Sequence, residues 1–200
     1  MVRKVGNETH AKLRLVSDEY GRGARLGTLR VVVAPAGNPP FPIAAEVCEE
    51  DTFLVLSAAT TVHEPGEDLA TIATAMRTWK PRRPGGVAVC PGDPPRLLAI
   101  VHDLDRDPSW CDDWVLQATR AALDEAERRG LGSLSMPLLG TCHGGLDPLR
   151  FASLLTDAVR DFTPRRLHAL WLISPPGIEY ALAAVLRRGA HAGTRARHDS

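Results

Sequence analysis

Cysteine is scarce and unpaired: Cys48, Cys90, Cys111 and Cys142 are the 4 cysteines of a 200-residue chain, with no CxxC spacing among them. That excludes a dense disulfide scaffold, a zinc knuckle and a thioredoxin-like motif, and the four read as reduced thiols. Long apolar runs are missing as well. Nothing approaches the roughly 20 consecutive apolar residues that a bilayer-spanning helix needs, and the first residues, Met1 to Tyr20, hold no apolar stretch like that of a secretion signal. The expectation is a cytoplasmic protein with no membrane contact. Net charge is absent too, 24 Lys+Arg standing against 24 Asp+Glu, and aromatics make up only 5%. The basic residues, nearly all arginine, are scattered rather than interleaved with aromatics along a stripe, so the footprint of a dedicated polynucleotide binder is weak.

What is present suffices for one self-sufficient domain. The chain is 44% hydrophobic, and at this length it can bury about 70% of its unfolded surface without help from metals or disulfides. The zero net charge conceals a pattern: residues 1–30 carry 7 basic and 3 acidic side chains and residues 187–200 carry 4 and 1, so the ends are basic and the middle acidic. Pro-rich knots at Asn38 to Pro42, Pro81 to Pro84 and Pro91 to Pro95 read as turns between elements.

Short apolar runs bounded by turn signals, at residues 29–33, 53–56 and 97–101, read as strands buried on both faces. Helical periodicity is clearest at Phe151, Leu154, Leu155, Ala158, Val159 and Phe162, behind an Asp147 N-cap and Pro148 at the first helical position. A second helix is predicted over 112–129, with acids in its first turn and Gly130 as C-cap. Residues 133–139 and 167–174 are predicted strands, Pro137 marking an end, a bulge or an edge, and 178–188 a closing helix. Segments 86–90 and 97–103 look like an antiparallel pair, whereas the alternation of helix and apolar strand elsewhere implies parallel strands. The predicted architecture is a three-layer α/β/α fold with a mixed central sheet over residues 27–188. Residues 1–26 are an N-terminal extension or first strand, and 189–200 a disordered basic tail. In such sheets the ligand crevice lies at the carboxyl ends of the strands.

One loop at such an end stands out: Leu139-Gly140-Thr141-Cys142-His143-Gly144-Gly145-Leu146-Asp147 leads from a strand to the best helix in the chain. Its glycines let the backbone approach a ligand with N–H groups turned inward, and a helix N-terminus follows, which suits a phosphate. The same glycines also fit a purely structural turn that needs unusual backbone angles or close packing. The loop is neither a Walker A sequence nor a dinucleotide GxGxxG, so spacing leaves both readings open.

The order of an apolar strand ending in Ile100-Val101-His102, the helix around Ala118 to Ala126, and Gly130-Leu131-Gly132-Ser133-Leu134-Ser135-Met136-Pro137-Leu138-Leu139-Gly140-Thr141 resembles the macrodomain family. The resemblance is best over 97–162 and fainter over 45–185. It implies an α/β/α module that binds ADP-ribose or a related nucleotide, with hydrolysis of ADP-ribosyl adducts in some branches. It calls for no cofactor and no metal, and it implies ADP-ribosylated protein or nucleic acid as partners. By position, Gly140, Thr141, Cys142, His143, Gly144 and Gly145 would wrap the diphosphate and distal ribose.

The family's Asn-Ala-Ala-Asn turn after an early strand compares with Ser57, Ala58, Ala59 and Thr60, and its following glycine run is reduced to Gly66 beside Glu67 and Asp68. If adducts are hydrolysed, the phosphate-loop geometry would position a water against the anomeric carbon, with Thr60 or His143 as polar helper. Asp51 is the position compared with the family's adenine-recognising acid, with Glu49 and Glu50 as alternates; the plainer reading of all three is a solvated acidic turn. A scaffold that has lost nucleotide binding and serves as a protein-interaction module is the alternative that the altered first turn favours. Two further readings start from Cys142: a thiol nucleophile with His102 or His63 as base, and a zinc site joining His63, His102, Cys142 and His143. The acids Asp103, Asp105, Asp107, Asp112 and Asp113 read as helix caps and solvated side chains.

Overall fold

The computed structural model describes residues 22–56 and 80–196. Their strands are β1 (Gly23–Leu26), β2 (Leu29–Ala34), β3 (Ala45–Asp51), β4 (Val87–Cys90), β5 (Arg96–His102), β6 (Ser133–Pro137) and β7 (Ala169–Ile173). Their helices are α1 (Asp112–Arg128), α2 (Pro148–Val159) and α3 (Glu179–Ala196). One mixed sheet forms in the order β1-β2-β7-β6-β3-β5-β4. Neighbours from β2 through β7, β6 and β3 to β5 pair in parallel, and β1 and β4 close the two edges antiparallel.

The connections β5 to β6 and β6 to β7 step the same way across this order, so right-handed crossovers put α1 and α2 on one face. There α1 packs on β4 and β5, α3 on β1 and β2, and α2 against both neighbouring helices. Of the expected layers, the described residues form the sheet and this helical layer. Phe151, Leu97, Leu123, Leu134, Met136 and Leu170 fill the space between them without exposure.

Two elements differ from the sequence reading, each for a physical reason. The expected strand at Phe53–Leu56 is a turn, and the strand is Ala45–Asp51. The N–H groups of Phe53, Val55 and Leu56 go to the carboxylates of Asp51 and Glu50 instead of to a neighbouring strand, so this apolar run has no ladder to join. The closing helix runs on to Ala196, into the segment expected to be disordered. Gly189, the first residue of that segment, is a packing point, because a Cβ there would lie 2.2 Å from Thr156 Cγ2 on α2. The expected caps hold elsewhere: Asp147 accepts the Arg150 N–H at 2.9 Å, and Gly130 ends α1 at φ 70°. At the head of α1 the N-cap is Cys111 with no side-chain bond, and Asp112, expected among the caps, pairs with Arg150 of α2 at 2.7 Å.

At the opposite end of α1, the Glu127 carboxylate accepts the N–H groups of Arg165, Arg166 and Leu167 at 2.9–3.0 Å and so anchors the chain leading into β7. The Leu167 N–H first, then those of Arg166 and Arg165, hold this carboxyl below its ordinary 4.5. Nearby, hydrogen bonds from Arg128 and Arg129 bring the Glu125 carboxyl down to about 2. Both groups have a depressed pKa in the fold, so their contribution is complete above 4.5 and is lost as pH falls through the folded values. Glu127→Gln is expected to lower the thermal midpoint at pH 7, and the gap to wild type should narrow as pH is lowered below 4.5 through the depressed folded value, as followed by circular dichroism melts.

Candidate functional site

The carboxyl ends of β3 and β5 and the loop leaving β6 meet at one edge of the sheet. The last residues of β3 are Glu49, Glu50 and Asp51, and each carboxylate has a different task. Asp51 has no exposure, and its two oxygens accept the N–H groups of Phe53 at 2.5 Å, Leu56 at 3.0 Å and Val55 at 3.1 Å. Glu50, also fully buried, accepts from Leu56 N–H at 2.7 Å and Asp51 N–H at 3.1 Å. These two acids fold the turn that follows the strand. The solvated acidic turn is therefore corrected, and the Asp51 carboxylate, the position compared by sequence with a ligand contact, is engaged by its own turn.

Glu49 points the other way. One oxygen lies 2.7 Å from His102 Nε2 at the end of β5 and 3.4 Å from His143 N, while the other accepts the Gly140 N–H at 2.7 Å. Its side chain is only 7% exposed, and that of His102 only 1%. A single carboxylate thus ties together the ends of β3 and β5 and the loop after β6. The other ring nitrogen of His102, Nδ1, is buried without a partner among the described residues. The exposed His143 stands edge-on to it, ring centroids 6.1 Å apart.

The glycine-rich loop of residues 140–145 takes its shape from packing as well as from turn geometry. Gly140 is in the left-handed region at φ 79°, and a Cβ there would lie 3.1 Å from Val115. At Gly144 a Cβ would meet Trp110 Cδ1 at 2.5 Å and the Gly140 carbonyl at 2.7 Å, so the indole lies directly against the backbone. Gly145 is different: φ is 71° and nothing stands within 4 Å. The Gly140 carbonyl accepts from Leu146, and Thr141 bonds back to Leu138 through both N–H and hydroxyl. The two readings of this loop thus divide by residue, Gly140 and Gly144 serving close packing and Gly145 lining open space.

The donors divide likewise. The N–H groups of Gly140, Thr141 and His143 have protein acceptors. Those of Cys142, Gly144 and Gly145 have none among the described residues. The head of α2 adds little, because Pro148 has no N–H and Asp147 takes that of Arg150.

Ser57, Ala58, Ala59, Thr60, His63 and Gly66 lie outside the described residues. Among the described residues, the early strand whose end bonds to the loop is β3, which closes on Glu49, Glu50 and Asp51 and is followed by Thr52. Cys142 is an exposed thiol, and no group of three or more metal-holding side chains occurs among the described residues. No described helix is long and apolar enough to cross a membrane.

No protein-family model and no curated protein matches the chain. Solved structures do. The Oceanobacillus iheyensis macrodomain with ADP is similar over 82% of this chain and 93% of that one, at 13% identity and a TM-score of 0.60. A glycine-to-valine mutant of that macrodomain with ADPR covers 82% and 95%, at 15% identity and a TM-score of 0.58. The Trypanosoma brucei macrodomain in complex with ADP covers 79% of this chain and 68% of that one, at 15% identity and a TM-score of 0.55. The likeness is one of fold, and the fold is macrodomain-like.

The two glycines should respond differently to the same methyl group. Gly144→Ala forces the loop off Trp110 and is expected to cost about 2–3 kcal/mol, the scale of overpacking. Gly145→Ala bears only the left-handed backbone, about 1 kcal/mol. Urea denaturation of the two variants beside wild type reads the difference.

Proposed function

We propose that this protein binds a nucleotide of the ADP-ribose class at the carboxyl edge of its sheet, with phosphate oxygens on the N–H groups of Cys142, Gly144 and Gly145. The observation that carries the reading is this set of loop donors without acceptors, on the loop where parallel strands of such a sheet present their ligands. Backbone amides suit phosphate because they offer partial positive charge without bringing a counter-ion or a side chain that must be ordered. The macrodomain-like fold supports the choice of ligand, since similar structures contain ADP or ADPR. Gly145, with open space where a Cβ would be, leaves room for an oxygen to approach.

Hydrolysis of an ADP-ribosyl adduct would be a further step on the same geometry. The amides would hold the phosphates and so place the distal ribose, and His143, exposed beside the loop, would offer a polar group to a water at the anomeric carbon. Thr60 remains part of that proposal by sequence alone, as do Ser57, Ala58, Ala59 and Gly66 as ligand contacts.

One observation favours a second reading. Glu49 already occupies the Gly140 and His143 amides, which suits a macrodomain-like interaction module that holds no nucleotide. Titration calorimetry with ADP-ribose, ADP and AMP separates the two. The binding reading expects heat at micromolar ligand, and the module expects none. Gly145→Asp is the informative variant, because aspartate tolerates a left-handed backbone and sets a carboxylate beside the free amides. It should weaken ADP-ribose at least tenfold while adenosine binding stays unchanged.

A further inference from the structure

The proposed phosphate site has an anion of its own. Glu49 is only 7% exposed, and its carboxylate rests on the Gly140 N–H at 2.7 Å and near the His143 N–H at 3.4 Å. Paired backbone N–H groups donating to two oxygens of one anion is the contact a phosphate would make, and here a side chain of the protein makes it. The free amides of Cys142 and Gly144 alternate along the chain with the occupied ones, so a ligand phosphate would come to rest beside this charge.

The tether of that charge is slight. Beyond the loop, Glu49 has one partner among the described residues, His102 Nε2 at 2.7 Å, and the His102 Nδ1 is buried with none among them. Carboxylate and imidazole can therefore shift together without breaking a second side-chain hydrogen bond of the ring.

We infer that Glu49 is a specificity-determining internal anion: it fills part of the loop's donor set and must be displaced or repelled before a ligand diphosphate can take all of it. This rests on the nucleotide reading and names what limits it. A ligand's negative charge is opposed at this point, whereas its sugar and base are not. Like charges a few ångströms apart in a partly dry crevice lower affinity substantially, and neutralising one of them restores it.

The test compares wild type with Glu49→Gln, which keeps the shape and an acceptor oxygen while removing the charge. The probes are ADP, inorganic pyrophosphate and adenosine, each titrated by calorimetry. The inference expects ADP and pyrophosphate to bind the variant at least tenfold tighter and adenosine to change less than twofold. A variant that gains nothing, or gains equally for adenosine, overturns the inference, and the nucleotide reading survives if wild type binds ADP. A silent wild type beside a variant that binds upholds the inference and sinks the nucleotide reading for the native chain. If neither binds any phosphate while both melt cooperatively, both ideas fall. Should the variant not fold, wild-type protein with carboxyl-labelled glutamate answers the same question by NMR. The Glu49 signal should move on addition of ADP but not of adenosine, and an unmoved signal at saturating ADP overturns the inference.

Discussion

The carboxyl edge of the sheet is organised around one bridging carboxylate. Glu49 reaches from β3 to the imidazole ending β5 and to the amide that opens the loop after β6. A backbone N–H at a strand-to-helix turn, a buried imidazole and an acid would each be costly to bury alone, and together they satisfy most of one another's hydrogen-bonding capacity. The neighbouring acids act locally. Glu50 and Asp51 gather the donors of the descending turn and so deliver the chain away from the sheet without a further strand. Three consecutive carboxylates thus divide between crossing the crevice and ending a strand.

This arrangement explains which parts of the molecule were legible in its sequence. The Phe151 to Val159 stripe, with Asp147 and Pro148 before it, specified α2 because caps and periodicity there agree with the packing. The Pro-linked pair around β4 and β5 and the run that ends at Pro137 were equally plain. What resisted reading was governed by side-chain contacts, near or distant in sequence, that periodicity does not display. Phe53 to Leu56 has the composition of a strand, yet its N–H groups are claimed by acids a few residues earlier. The segment from Gly189 has the composition of a disordered tail, yet Gly189 lies against Thr156 of α2.

The loop of residues 140–145 shows the same limit at the site itself. Its glycines are visible in the sequence, but the reason for each one is not. Gly144 answers to Trp110 from another element and Gly145 to open space, a distinction no spacing encodes. Glu49 was visible only as one of three acids of doubtful purpose. A run of acids closing an otherwise apolar strand was the available signal: such acids must find donors nearby, and the donors nearest a strand end are the N–H groups of adjoining turns.

The contact between Gly144 and Trp110 also bears on how such a loop can change over generations. Any side chain at position 144 collides with the indole, and shrinking the indole alone leaves a void beneath the loop. Single substitutions at either position are therefore disfavoured, and since the Gly140 carbonyl also stands 2.7 Å from such a Cβ, losing the ring would not by itself admit a side chain, so this rim changes only when ring, glycine and loop backbone are remade together.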